Sequence, residues 1–171
     1  TAMLVMALGA FTACSDDDGP KIPEGPIAPV NGAYVINTGN SGANNGTIQW
    51  YDRDQKTVSA DLFAAANGAG IGDAQDLCIY GSKIYITCTA KIEVVNRADF
   101  TRIQTLKLSN GEQSISPRYM TATGGNVYFT AYDGTVSRLD TTSLSITGKI
   151  EIGDHPEALT SANGKLYVNL S

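Results

Sequence analysis

Six polar and aromatic residues have side chains suited to holding a ligand. Three are amides that both donate and accept hydrogen bonds, one is a planar cation, and two carry rings on which a flat ligand can stack. They are Asn40, Asn44, Asn45, Arg118, Tyr119 and Tyr132. Asparagine is also common in turns because it tolerates positive φ. A purely conformational role therefore stays open for each of the three amides.

Residues that could carry out catalysis are scarce. His155 is the only histidine and precedes Pro156; no Ser–His–Asp set can be assembled around it, so a turn is the better interpretation. The run Gly68–Gly72 follows alanines rather than a strand and lacks the glycine spacing of a phosphate-binding loop. The acidic runs at Asp16 and Asp52 lack calcium-loop spacing. The sequence therefore predicts a protein that is not an enzyme and uses no metal or cofactor.

Cys14 is the residue best placed for covalent modification. Residues 1–13 carry no charge and are too few to span the roughly 30 Å core of a bilayer, but they fit the apolar part of a secretory signal. The end of this run, Phe11-Thr12-Ala13-Cys14, resembles a bacterial lipobox, whose cysteine is lipidated and begins the mature protein. We therefore interpret 1–13 as the remnant of a signal peptide and predict a lipid anchor on Cys14. A buried helix with an ordinary cysteine is the alternative.

Residues 14–30 form an acidic, Pro-rich segment. Ser15-Asp16-Asp17-Asp18 resembles the surface-export signal of Bacteroidetes-type lipoproteins. Four prolines follow, at Pro20, Pro23, Pro26 and Pro29. Because prolines extend and stiffen a chain, this segment is predicted to be a tether between the membrane and a folded domain. The expected location is the outer membrane, at the cell surface.

The composition favours β structure and argues against a nucleic-acid partner. Only 17% of the 171 residues are charged, which is below the usual quarter, so polarity comes from Gly, Asn, Ser and Thr. The formal net charge is −5. The sequence has no basic stripe that could neutralise phosphates.

Residues 31–171 contain units that recur about every 44 residues. Three columns show this interval: Ile48, Ile92 and Val136; Asp52, Asn96 and Asp140; and Leu62, Leu106 and Ile150. Alternating apolar and polar segments around these columns predict four short strands in each unit. That period and strand number are those of a propeller blade.

The repeat pattern resembles that of the YVTN-type β-propellers. The motif is Gly-x-apolar-Tyr-apolar-Thr/Asn, then Thr-Val-x-x-apolar-Asp, then a strand that ends before Gly-x-x-Pro. The variant that begins at Tyr34 and continues through Trp50-Tyr51-Asp52 is similar to a Bacteroidetes surface-lipoprotein branch. The relatives of that branch include surface propellers that capture vitamin B12 for an outer-membrane transporter. The resemblance therefore implies a corrinoid ligand and a transporter as partner.

The predicted fold is all-β, a fragment of a propeller built from four-stranded blades. Blade units are expected at about 31–66, 74–108, 117–152 and 156–171, with three, four, four and two strands. The first unit lacks one strand because the Pro-rich residues 22–30 cannot donate a full ladder of hydrogen bonds. A seven-bladed ring of such units needs roughly 300 residues, so we expect about half a ring, from a sequence truncated at the front and incomplete at the end.

One end of the propeller is predicted to gather the candidate binding residues. Strands alternate in direction within a blade, so the loops after the second and fourth strands open on the same end. These loops are 38–46, 89–90 and 132–134 within blades, and 67–75, 109–118 and 153–157 between blades; we call this end the loop face. Loops on a rigid scaffold often carry binding groups, so the loop face is the predicted binding surface.

Cys78 and Cys88 lie on neighbouring predicted strands that flank the turn at 81–83. In an exported protein they could form a cross-strand disulfide, or they could be two small buried thiols. Strand register decides between these alternatives, and both stay open.

These inferences converge on a surface-exposed lipoprotein that captures a ligand without performing chemistry. The expected ligand is a small molecule or a glycan, with a corrinoid such as vitamin B12 implied by the resemblance. Two alternatives stay open. One is a propeller enzyme, such as a metal-dependent lactonase or a quinoprotein dehydrogenase, and the other is a scaffold that binds a glycan or a protein.

Overall fold

A computed structural model describes residues 31–40 and 42–171 of the chain. The predicted signal remnant at 1–13, the lipidation site Cys14 and the tether at 14–30 lie outside the described residues. In the described part, no helix is long and apolar enough to span a bilayer.

The described residues form four antiparallel sheets with three, four, four and two strands. Blade one contains β1 (Gly32–Asn37), β2 (Thr47–Asp52) and β3 (Thr57–Val58), followed by α1 (Leu62–Asn67). Blade two contains β4 (Ala74–Tyr80), β5 (Lys83–Cys88), β6 (Lys91–Asn96) and β7 (Arg102–Lys107). Blade three contains β8 (Pro117–Thr123), β9 (Asn126–Ala131), β10 (Thr135–Asp140) and β11 (Ser145–Glu151). Blade four contains β12 (Pro156–Ala162) and β13 (Lys165–Leu170). The predicted strand count of each unit is confirmed.

The blades are held together by apolar side chains on both faces of each sheet. Phe63, Ile84, Ile86 and Phe100 belong to a core between blades one and two. A second core, between blades two and three, contains Tyr85, Ile92, Val94, Val127, Phe129 and Leu139. Successive residues of β5 alternate between the two cores, as the twofold period of a strand requires. Because both faces of each sheet are buried, the strands appear in the sequence as apolar runs.

The outer part of blade one differs from the prediction. The 44-residue interval aligns Leu62 with Leu106 and Ile150, which lie in β7 and β11, but Leu62 begins the helix α1. The Asp61 carboxylate caps this helix by accepting from the Phe63 N–H at 3.1 Å, and Gly68 ends it with φ +70°. Leu and Ala between these caps favour a helix. The helix caps therefore determine the local structure here, and the prediction that Leu62 lies in a strand equivalent to those of Leu106 and Ile150 is wrong.

The register of β4 and β5 excludes the cross-strand disulfide. Cys78 lies opposite Tyr85, and Cys88 lies opposite Ala74, so the two thiols are not neighbours. Both cysteines are free, and they pack in different cores. Burial raises the pKa of Cys78 to about 11 and that of Cys88 to about 12. These are structural thiols that stay protonated at neutral pH.

The groove between blades three and four exposes apolar surface. Its lining, which includes Val136, Ile150, Leu166, Val168 and Leu170, encloses about 300 Å³. Ile150 is 59% exposed and Leu170 is 50% exposed. In a propeller, side chains at these positions pack against the outer strands of the next blade, which agrees with a partial ring.

Candidate functional site

Backbone hydrogen bonds join the loops that form the loop face. Each bond connects a loop within a blade to a loop between blades. The bonds run from Gly46 N to Gly72 O at 2.9 Å, Leu108 N to Ala90 O at 2.9 Å, Tyr132 N to Ser116 O at 3.0 Å, and Ile152 N to Gly134 O at 2.9 Å. The two loop classes are therefore neighbours, as the alternating strand directions predict.

Arg118 lies at the centre of this end and bridges three blades. Gln75, Arg118 and Glu157 are each the second residue of an inner strand, in β4, β8 and β12. Arg118 Nη1 donates to Gln75 Oε1 at 2.7 Å, and Arg118 Nη2 donates to Glu157 Oε2 at 3.5 Å. The Arg118 and Glu157 side chains are only 22% and 24% exposed. Arg118 Nε is buried without a partner among the described residues, so this cation is partly desolvated.

Two tyrosine rings flank the Arg118 guanidinium. Its central carbon lies 4.7 Å from the ring centroid of Tyr132 and 5.6 Å from that of Tyr119, which is within range of a cation–π interaction. The Tyr132 hydroxyl donates to Glu157 Oε1 at 2.9 Å, and this hydrogen bond raises the pKa of Tyr132. Both tyrosines remain partly exposed. We refer to Gln75, Arg118, Tyr119, Tyr132, His155 and Glu157 as the Arg118 cluster.

Threonine hydroxyls fix the backbone beneath the Arg118 cluster. Thr87 Oγ1 donates to the Arg118 carbonyl at 2.7 Å, and Thr130 Oγ1 donates to the Glu157 carbonyl at 2.8 Å. These two threonines end corresponding copies of the repeat motif, so the same contact recurs at successive blades. Asp76 adds a further link, since its carboxylate accepts from Met120 N at 2.7 Å. Four members of the cluster, Gln75, Arg118, Tyr119 and Glu157, therefore project from strands, and Tyr132 and His155 lie in the adjoining loops.

The asparagine-rich loop 38–46 lies elsewhere on the loop face. Asn45 Oδ1 accepts from the Asn40 N–H at 2.8 Å, and Asn44 has φ +52°. The nearly buried Asp73 carboxylate accepts from the N–H groups of Gly42 and Asn44 at 3.3 and 3.1 Å. The amide of Asn45 therefore shapes the loop, while the exposed side chain of Asn40 faces solvent. No described hydrogen bond joins this loop to the Arg118 cluster.

The structure brings together three of the six predicted site residues and adds others. Arg118, Tyr119 and Tyr132 belong to one cluster, whereas Asn40, Asn44 and Asn45 form a separate loop. Gln75 and Glu157 were not predicted as site residues, although their positions match that of Arg118 in the repeat. His155 has φ +48°, which fits the predicted turn, and its ring lies 5.4 Å from that of Tyr132.

The acidic side chains and the glycine run at 68–72 are the other sequence motifs that lie within the described residues. Among the described residues, no group of three or more His, Cys, Asp or Glu side chains is arranged to hold a metal ion. Gly68 and Gly72 have positive φ in the connection between α1 and β4, as expected for a connecting segment rather than a phosphate-binding loop.

Comparison with known proteins identifies the architecture alone. No protein-family model matches the chain, and no curated protein matches it. Solved structures that resemble it include a nidogen/laminin complex, with 17% identity and a TM-score of 0.53 over 71% of this chain and 43% of that chain. Another is the WD40 β-propeller domain of Doa1, with 14% identity and a TM-score of 0.54 over 71% and 40%. A third is Kuenenia stuttgartiensis hydrazine synthase, with 14% identity and a TM-score of 0.53 over 66% and 32%.

The chain thus spans less than half of each of these similar structures. At identities of 14–17%, this structural similarity supports the fold and carries no information about function. The YVTN type and the Bacteroidetes lipoprotein branch stay predictions from the sequence. Four-stranded antiparallel sheets packed face to face, together with these neighbours, show that the chain has a β-propeller fold.

Proposed function

We propose that this chain belongs to a surface-anchored binding protein that captures a ligand at the Arg118 cluster without catalysis. The observation that carries the proposal is the Arg118 guanidinium itself. It is held by Gln75 and Glu157 from the two neighbouring blades and lies between two partly exposed tyrosine rings. A fixed, partly desolvated cation binds a polar ligand more strongly than a solvated one, because less water must be displaced.

The Arg118 cluster favours a ligand that both accepts and donates hydrogen bonds. Arg118 and Gln75 supply donors, and the Glu157 carboxylate supplies an acceptor. The rings of Tyr119 and Tyr132 supply apolar faces for stacking. Carboxamides around a flat ring meet these requirements, so a corrinoid, which the sequence resemblance implies, is the first ligand to test. The hydroxyl groups and apolar ring faces of a neutral glycan are the second.

Arg118→Ala is expected to weaken binding of the ligand by about ten- to a hundred-fold, since a hydrogen bond to a charged group contributes roughly 1.5–3 kcal/mol. Titration calorimetry with cyanocobalamin and with a neutral oligosaccharide, on the full chain, measures the effect and separates the two ligand classes. Arg118→Lys should lie between the wild type and the alanine variant, because lysine keeps the charge but loses the planar fork.

Lys165→Ala provides the matched control for the Arg118 experiment. Lys165 is an exposed cation at the start of β13, at the end opposite the loop face. Lys83 is less suitable because its Nζ donates to the Thr141 carbonyl at 3.1 Å. Equal effects of Arg118→Ala and Lys165→Ala would remove Arg118 from the site. Binding of neither probe would contradict the proposed ligand classes.

The proposed surface location depends on Cys14 and the acidic run that follows it. Cys14→Ser is expected to release the protein from membranes and to abolish labelling by a fatty-acid analogue, because the acyl chains supply the anchoring energy. Replacing Asp16, Asp17 and Asp18 by alanine should preserve labelling but reduce cleavage by protease added to intact cells. Unchanged membrane partition of the Cys14→Ser protein would contradict the lipoprotein assignment.

A further inference from the structure

Asn–Gly pairs are positions at which a protein chain can modify itself without an enzyme. The backbone nitrogen of the glycine attacks the side-chain carbonyl carbon of the asparagine, a succinimide ring closes, and the amide nitrogen leaves as ammonia. Water then opens the ring to give aspartate or isoaspartate. The balance is one amide and one water converted to one acid and one ammonia, with no oxidant or reductant. Glycine favours this reaction because it has no Cβ to shield its nitrogen or to restrict its backbone.

The sequence contains five Asn–Gly pairs, which begin at Asn31, Asn45, Asn67, Asn110 and Asn163. All of them lie within the described residues. The reaction requires a free glycine N–H, an asparagine side chain that can turn towards it, and a backbone that can adopt the cyclising conformation. An unfolded chain meets these requirements at every pair. In the folded chain, hydrogen bonds and packing decide which pair reacts.

The Asn45–Gly46 pair is held at both reacting groups. Gly46 N donates to the Gly72 carbonyl at 2.9 Å, and a Cβ on Gly46 would overlap that same oxygen. Asn45 Oδ1 accepts from Asn40 N at 2.8 Å, which fixes the side-chain amide. Cyclisation would break both hydrogen bonds, so this pair is protected.

The pairs at Asn67 and Asn31 are also restrained. Gly68 N donates to a carbonyl of α1 at 2.9 Å as the C-cap of that helix, and the Asn67 side chain forms three hydrogen bonds with backbone groups. The Asn31 side-chain amide donates to the Asp54 carboxylate. Gly32 begins β1 in close packing, because a Cβ at that position would overlap atoms of the neighbouring strand β2. Neither pair is free to cyclise.

The Asn163–Gly164 pair is exposed but lies in a tight turn. It forms the two-residue loop between β12 and β13, and the flanking residues Ala162 and Lys165 are paired in the sheet. Asn163 has φ +50° and Gly164 has φ +70°, as in the left-handed turn typical of a two-residue hairpin. The succinimide ring closes only when the asparagine leaves this conformation. The hairpin must therefore open before this pair reacts.

The Asn110–Gly111 pair combines all the requirements of the reaction. Both residues are exposed, and Asn110 lies outside the left-handed region that holds Asn163. Within the described residues, neither the Asn110 side chain nor the Gly111 N–H has a hydrogen-bond partner. A Cβ on Gly111 would have no atom within 4 Å, so this backbone has room to rotate into the cyclising conformation.

We propose that Asn110 is a site of spontaneous modification, at which the folded chain converts an amide into aspartate or isoaspartate. The reaction consumes only water and releases ammonia. It places a new negative charge on the loop face, two residues from the Glu112 carboxylate. The site is independent of the proposed ligand capture, because no step of the reaction involves the Arg118 cluster.

Isoaspartate also changes the path of the loop 109–118. Its backbone runs through the former side chain and is therefore longer by a methylene group. This group is inserted in the turn that a bridge between Ser109 and Ser114 closes. Farther along the same loop, the Ser116 carbonyl accepts from Tyr132 N at 3.0 Å. The modified loop therefore leads directly to a residue of the Arg118 cluster.

Incubation of the folded full chain in mildly alkaline buffer made with heavy-oxygen water tests the assignment. Peptide mass spectrometry measures acid formation at each pair, and the heavy oxygen distinguishes new conversion from any that preceded the incubation. Conversion at Asn110 should be at least about tenfold faster than at Asn45 and Asn67, because each of those pairs must first break two or more hydrogen bonds. Conversion at Asn163 should also lag behind that at Asn110.

The same incubation in urea provides the control for sequence effects. Once the chain is unfolded, the pairs should convert at similar rates, since each is an asparagine followed by glycine. Isoelectric focusing of the aged folded chain should show a new acidic band that Asn110→Gln removes and Asn163→Gln retains. Equal conversion at Asn110 and Asn45 in the folded chain would overturn the assignment. So would an acidic band that persists in Asn110→Gln, or an order of rates that unfolding leaves unchanged.

Discussion

Replacing Lys91 and Arg102 together by methionine is expected to lower the free energy of unfolding by about 3–5 kcal/mol. Both cations bind Glu93, whose side chain is 1% exposed: Lys91 Nζ donates to Oε1 at 2.8 Å, and Arg102 Nε donates to Oε2 at 3.1 Å. Thr105 Oγ1 donates to the same carboxylate at 2.6 Å. Methionine preserves most of the apolar stems, so the double variant mainly leaves a buried carboxylate with one neutral donor. Chemical denaturation followed by circular dichroism measures the loss.

A rescue variant separates charge burial from packing. Adding Glu93→Gln to the double variant should recover most of the lost stability, because a neutral amide costs far less to bury than an unpaired carboxylate. Lys149→Met is the matched control, since the Lys149 pair with Asp133 has a cation that is 43% exposed. Its loss is expected to be below about 1 kcal/mol. A double variant no less stable than Lys149→Met would contradict this account of Glu93.

The strands could be predicted from the sequence because every blade must bury both faces of its sheet against neighbouring blades. A sheet between two neighbours needs apolar residues on both faces and a turn after every six or seven residues. The column of Ile48, Ile92 and Val136 reflects that requirement: Ile92 and Val136 lie in the third strands of blades two and three, and Ile48 lies in β2 of blade one. The period thus identified the architecture and the number of strands in each described sheet.

Features that belong to a single blade could not be predicted from the period. The helix α1 depends on the Asp61 cap and on Phe63, which have no counterparts in the later units. The Glu93 network was also missed, although Lys91 and Glu93 lie two residues apart and so share one face of β6. A carboxylate at an inward position of an apolar strand was the available signal.

The candidate site was predicted in part for a similar reason. Arg118 and Tyr119 begin β8 and Tyr132 follows β9, and the alternating strand directions bring these positions to one end. Gln75 and Glu157 are equivalent to Arg118 in the repeat, but their importance depends on side chains meeting across blades. Repeat position identifies which residues face the centre of the ring. It does not show which of them are hydrogen-bonded.

Phe63→Ala is the second substitution with a large expected effect, a loss of about 3–5 kcal/mol from the free energy of unfolding. Phe63 is fully buried between blades one and two, and the Arg102 guanidinium lies 5.2 Å from its ring centroid. The cavity left by alanine would be bordered by strands that cannot collapse into it. Phe63→Leu retains much of the volume and should cost less than about 1.5 kcal/mol. Tyr167→Ala, at a side chain that is 53% exposed, should change stability by no more than about 0.5 kcal/mol.

The same substitution is expected to loosen the asparagine-rich loop. Asn67 at the end of α1 donates to the carbonyls of Phe63 and Phe100 and accepts from Arg102 N at 2.8 Å. The chain then runs directly to Asp73, which holds the N–H groups of Gly42 and Asn44. Amide hydrogen exchange at these two groups should therefore be faster in Phe63→Ala than in Tyr167→Ala, while exchange at Tyr132 N stays unchanged. Equal exchange at Gly42 and Asn44 in both variants would show that α1 stabilises blade one without controlling the loop face.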